Sequence, residues 1–109
     1  MHVGDLDASS APAGNRWNAS VTITIHDENE NPVANATVTG TWFLGNRMRS
    51  DTCITNSNGQ CTITRTIANF MTTATFSVDN VTGTLTYDDG GNHDPDGDSN
   101  GKTITVNKP

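Results

Sequence analysis

Basic residues are scarce in this sequence: six Lys and Arg stand against twelve Asp and Glu, giving a net charge of −6. That balance, with an isoelectric point near 4.6, argues against nucleic acid or an anionic membrane surface as a partner. Long apolar runs are missing. None approaches the roughly 18–20 residues that span a bilayer, so no membrane insertion is expected, and no secretory leader is visible. Aromatics are few, with two Trp, one Tyr and three Phe, which leaves little ring surface for sugar stacking once a core is filled. Lysine, glutamate and leucine are thinly supplied, and no long segment repeats the i, i+3, i+4 apolar spacing of a helix. There is no phosphate loop, zinc spacing or nucleotide fingerprint, and no Ser, His and acid in segments that must converge. The sequence is therefore not expected to be an enzyme.

What is abundant is threonine, which is β-branched and suits strands, and asparagine, which suits turns. Mean hydropathy is only −0.52, low enough to permit disorder, but the apolar residues are regularly spaced. Trp17, Ala19, Val21, Ile23 and Ile25 alternate with polar neighbours, as do Ala36, Val38, Gly40 and Trp42. Ala74, Phe76 and Val78 share a face, continued by Val81, Leu85 and Tyr87 after interruptions at Asp79-Asn80 and Gly83. Ile104 and Val106 face inward on a last strand, and Val3 and Leu6 mark a first. Residues 66–71 read as a turn or a single helical twist. With turns roughly every 8–12 residues, residues 1–109 read as one all-β domain, an antiparallel immunoglobulin-like β-sandwich of seven or eight strands; a closed barrel is the alternative. Trp17 and Trp42 are expected in its core, against the alternative of an exposed sugar platform.

The two cysteines, Cys53 and Cys61, flank the turn signal Asn56-Ser57-Asn58-Gly59. With no Cys-x-x-Cys and no nearby His, a metal or redox pair has no partners, and a disulfide is expected. A hairpin centred near Ser57 would set them opposite one another. On that reading the bond pins a hairpin register and does not join two sheets.

Five aspartates lie between positions 88 and 98 with no Lys or Arg until Lys102. Like charges this close repel unless something positive is bound. Asp94, Asp96, Asp98 and Asn100 fall at every second position among glycines. Oxygen donors so arranged suit a hard divalent cation such as Ca2+. The segment departs from an EF-hand: Ser99 stands where that loop needs Gly and Thr105 where it needs Glu. The expected ligands are Asp94, Asp96 and Asp98, with Asn92 or Asn100 and backbone carbonyls. Asp5 and Asp7 repeat the alternation and either join this site or stand as exposed strand residues. If 72–78 and 82–87 form one bent strand, the late loop falls at the start of the first strand; if they form a hairpin, it falls at the opposite end. His93 reads as a solvated loop residue, and His2 and His26 have no matching constellation.

At Asn31-Pro32-Val33-Ala34-Asn35-Ala36-Thr37-Val38, and again at Thr55-Asn56-Ser57-Asn58-Gly59-Gln60-Cys61, the chain resembles bacterial Ig-like modules. With His2-Val3-Gly4-Asp5-Leu6-Asp7 and the late acidic segment added, the whole chain resembles the Ig-like accessory domains found C-terminal in secreted bacterial proteins, subtilisin-like serine peptidases among them. The resemblance implies a secreted, non-catalytic module lying beside other domains of the same chain. Met1 to Asp5 reads as the start of an excised domain, and Val106 to Pro109 as an exit into a linker. A polysaccharide or a protein surface is the alternative partner, bound with calcium.

Overall fold

The computed structural model describes residues 1–95, 97 and 99–109. Seven strands form two antiparallel sheets packed face to face: β1 (His2–Ala13), β2 (Arg16–His26) and β5 (Gln60–Ala68) in one, and β4 (Arg47–Ile54), β3 (Thr37–Leu44), β6 (Thr73–Thr82) and β7 (Thr103–Asn107) in the other. The sandwich is the expected architecture.

Period-two burial drives it. The even-spaced set Trp17, Ala19, Val21, Ile23 and Ile25 is fully buried from β2, and Ala36, Val38 and Trp42 are fully buried from the facing sheet. The Trp42 and Phe76 rings lie 5.1 Å apart and tilted, a geometry that aromatic quadrupoles favour. Gly40 permits this: a Cβ there would come within 2.2 Å of Phe76 Cζ and 2.6 Å of the Ser77 carbonyl. Trp17 is also fully buried, and its Nε1 donates to Met71 O at 3.0 Å. Neither tryptophan is a sugar platform. Leu85, expected to extend a strand, is outside any strand and 43% exposed.

The cysteines do form a disulfide, with Cα atoms 5.8 Å apart, but not across a hairpin. β4 pairs only with β3, through the two-residue Gly45-Asn46 turn, and β5 pairs only with β2. Relative to the constant-type immunoglobulin arrangement, in which the fourth strand joins the first sheet, β4 has switched sheets. The bond therefore ties the edge of one sheet to the edge of the other, correcting the expectation of a single-sheet hairpin. Residues 55–59 make the crossing, and buried Thr55 anchors it: its Oγ1 accepts from Ala36 N (2.9 Å) and donates to Val33 O (2.7 Å).

β6 runs unbroken from Thr73 to Thr82, with a bulge where Asp79 is skipped between Asn80 and Val78. No hairpin forms at Asp79-Asn80, although the strand ends at Thr82 and residues 83–87 do not extend it as expected. β6 sends the chain after Thr82 to the start of β1, where residues 86–93 lie along that strand's open edge. Met1 N donates to Thr86 O (2.6 Å), Asp88 N to Met1 O (2.7 Å), Val3 N to Asn92 Oδ1 (2.8 Å) and His93 N to Val3 O (3.0 Å). The first residues of an edge that would otherwise invite another strand are thereby covered.

Candidate metal-binding end

The start of β1 is irregular for a reason visible in its residues. Val3 and Leu6 are both fully buried, yet they are an odd number of positions apart, which a straight strand cannot satisfy. A bulge at Gly4 resolves this, since Val3 faces Ile25 while Asp5 faces Thr24. Gly4 is bare because the His26 ring occupies its Cβ position, with Nδ1 2.2 Å from where that atom would lie. Beyond the bulge, Asp5 and Asp7 point off the outer face together, opposite Thr24 and Thr22.

The late connection brings Asp94 to them. Asp5 Oδ1 is shut off from solvent, and no ordinary hydrogen-bond donor among the described residues reaches it. Its hydrogen-bonding neighbours are the side chains of Asp94 and Asp7. Burial first, then those two bonds and the repulsion of the neighbouring charges, push the Asp5 carboxyl up to about 7 from 3.8. Asp94 Oδ2 also accepts from Ser99 Oγ. Asp5, Asp7 and Asp94 thus converge. Asp96 and Asp98 lie outside the described residues. The two asparagines have their oxygens engaged elsewhere. Asn92 Oδ1 accepts from Val3 N while its amide donates to Tyr87 Oη at 2.7 Å. Asn100 Oδ1 accepts from Lys102 N (2.9 Å) and Thr103 N (2.7 Å), turning the chain into β7.

Beside the carboxylates lies a constellation that sequence reading missed. The polar turn after β2 is folded tightly by Asp27, whose Oδ1 accepts from Asn29 N and Asn31 N, each at 2.9 Å. Those bonds, the one from Asn31 foremost, hold the Asp27 carboxyl below its ordinary value. The turn places Glu30 at φ +62, a left-handed conformation uncommon for a residue with a Cβ. Glu30 Oε1 lies 2.9 Å from His2 Nε2, and its Oε2 lies 3.0 Å from His26 Nδ1 and 3.4 Å from His93 Nε2. Partial desolvation raises the Glu30 carboxyl, but the bond from His26 and the charges of His2 and His93 leave it below the ordinary glutamate value. These residues are too far apart in sequence for any spacing rule to link them. The only local cue was His93 beside Asp94.

The opposite end of the sandwich has the other sign. A cleft of 680 Å³ there is lined by every arginine of the chain, Arg16, Arg47, Arg49 and Arg65, together with Phe70. Phe70 is 86% exposed. Arg65 Nη1 reaches Asp51 Oδ2 at 3.3 Å.

No protein-family model, no curated protein and no solved structure matches this chain. Among the described residues, no helix is long and apolar enough to cross a membrane.

Proposed function

We propose that the chain is a non-catalytic extracellular accessory module of Ig-like fold whose acidic end is closed by Ca2+. The carrying observation is the meeting of Asp5, Asp7 and Asp94 around a carboxylate oxygen that is buried and lacks a donor. Three hard oxygen donors compressed together, one held reluctantly protonated at neutral pH, fit a calcium ion, which neutralises them without needing a proton. The disulfide supports an oxidising, extracellular setting, and the motif resemblance supports placement beside other domains of a secreted bacterial protein, such as a peptidase. Calcium at about ten times its dissociation constant adds roughly 1.4 kcal/mol by linkage, which raises the melting midpoint by roughly 5–10 °C in a domain of this size. Thermal melts at pH 7.5 in Ca2+ and in chelator test the reading; coincident midpoints would refute it.

A second reading is supported by the arginine-lined cleft: a binding module whose partner, polysaccharide or protein, presents anionic groups there. The exposed Phe70 ring beside concentrated positive charge favours it. Loss of partner retention on Phe70→Ala and Arg49→Ala separates this role from a purely structural one.

A further inference from the structure

All three histidines of the chain reach one carboxylate, that of Glu30. They arrive from β1, from the end of β2 and from the late connection, so the convergence is a product of tertiary structure. His93 Nδ1 lies 3.1 Å from Gly91 O. A carbonyl oxygen only accepts, so Nδ1 carries the proton of that bond. In the neutral ring Nε2 is then a lone pair, aimed at Glu30 Oε2 3.4 Å away. A cation on Nε2, whether a second ring proton or a metal ion, makes that contact attractive. His2 Nε2 lies 2.9 Å from the other oxygen, on a ring that is almost fully buried and closely bordered by Gly91, whose added Cβ would lie 3.3 Å from it.

Ligand atoms of His2, Glu30 and His93 all lie within 4.8 Å of one another. A tetrahedral zinc ion with ligands at about 2.0–2.1 Å sets them roughly 3.3–3.4 Å apart, a closure that needs the partly exposed His93 ring to move toward His2 and the half-exposed Glu30 side chain to follow. Imidazole nitrogens with one carboxylate are the donor set of zinc-class ions; calcium prefers the all-oxygen set next door. His26 holds Glu30 Oε2 from behind, with its ring seated over bare Gly4, the outer-shell contact that orients a ligating group. We propose that His2 Nε2, His93 Nε2 and Glu30 form a site for Zn2+ or a similar divalent transition ion, distinct from the aspartate cluster, which staples the first strand, the turn at 27–32 and the late connection together.

The test is calorimetric titration of Zn2+ into chelator-stripped protein held in excess Ca2+, so that the aspartates do not compete. One zinc per chain is expected, with the imidazole NMR signals of His2 and His93 shifting together. Affinity should fall at least ten-fold in Glu30→Gln and in His93→Asn, the order of loss seen even for outer-shell partners, and stay unchanged in Asp51→Asn, at the far end of the sandwich. Both ligand variants alter partly exposed side chains, so their circular dichroism should match that of the parent. Absence of heat together with unshifted imidazole signals at millimolar zinc would overturn the proposal. So would parental affinity in both ligand variants, or an equal loss in Asp51→Asn.

Discussion

Replacing Asp5 by asparagine should stabilise the metal-free protein at neutral pH and do nothing for it in acid. In the folded chain the Asp5 carboxyl is lifted from 3.8 to about 7. Its folded value lies above its unfolded one, so the folded state holds the proton more tightly. The stability this confers is complete below about pH 4 and is lost as pH climbs through about 7. At about 1.4 kcal/mol per pH unit the loss reaches about 4 kcal/mol, a ceiling because Asp7 and Asp94 share in the repulsion. Asparagine keeps the shape, carries no charge and offers an amide donor to both neighbours. In chelator at pH 8, Asp5→Asn should melt roughly 10 °C or more above the parent, and the gap should vanish near pH 4. Ca2+ should raise the parent at pH 8 and leave the variant almost unmoved. Calorimetric melts from pH 4 to 8, with chelator and with Ca2+, measure both effects. The difference between parent and variant cancels the titration of groups remote from Asp5, leaving Asp5 and its neighbours Asp7 and Asp94. Parallel pH profiles of the two proteins in chelator would refute the reasoning.

Two further outcomes follow from the packing. Reduction of Cys53–Cys61, or the double Cys→Ala variant, should cost roughly 2–3 kcal/mol for a loop this short and lower the midpoint in denaturant melts. Because the bond joins two sheets, hydrogen exchange should rise at the edge strands β4 and β5 first. Gly40→Ala should cost about 1–3 kcal/mol, since the added methyl meets Phe76 and the Ser77 carbonyl; urea titration reads the loss, and trimming Phe76 to leucine in the same chain should recover part of it.

The sandwich was legible wherever a strand buries one face. In β2 and β3 a slip of one residue would turn Trp17 or Trp42 outward, so alternation alone fixes register and facing. It was illegible where that constraint lapses. β4 is largely exposed along its length, so its side chains carry no record of which sheet it joins. The short segment between the cysteines closes a disulfide equally well as a hairpin or as a crossing, and the sheet switch went unread for that reason. The acidic end divides the same way. Charge density marked Asp94, and alternation marked Asp5 and Asp7. Asn92 and Asn100 looked like ligands because composition does not say whether an amide oxygen will be claimed by a backbone N–H. The histidine cluster left only His93 beside Asp94 as a cue, because positions 2, 30 and 93 meet only once β6 runs past Asp79-Asn80 without turning back.

The course of the strands also fixes where force enters and leaves. His2 pairs with His26 at one tip of β2. Lys108 N bonds Thr72 O, beside the segment that meets Trp17 at the other tip. The two chain ends thus lie at opposite poles of a body 43 Å long and 24 Å across, the geometry of a strut if the proposed neighbouring domains are attached. Tension between its neighbours would act along the strands, and the first contacts loaded would be those binding Met1 and Val3 to residues 86–93, so ions gripping that pole would toughen the joint.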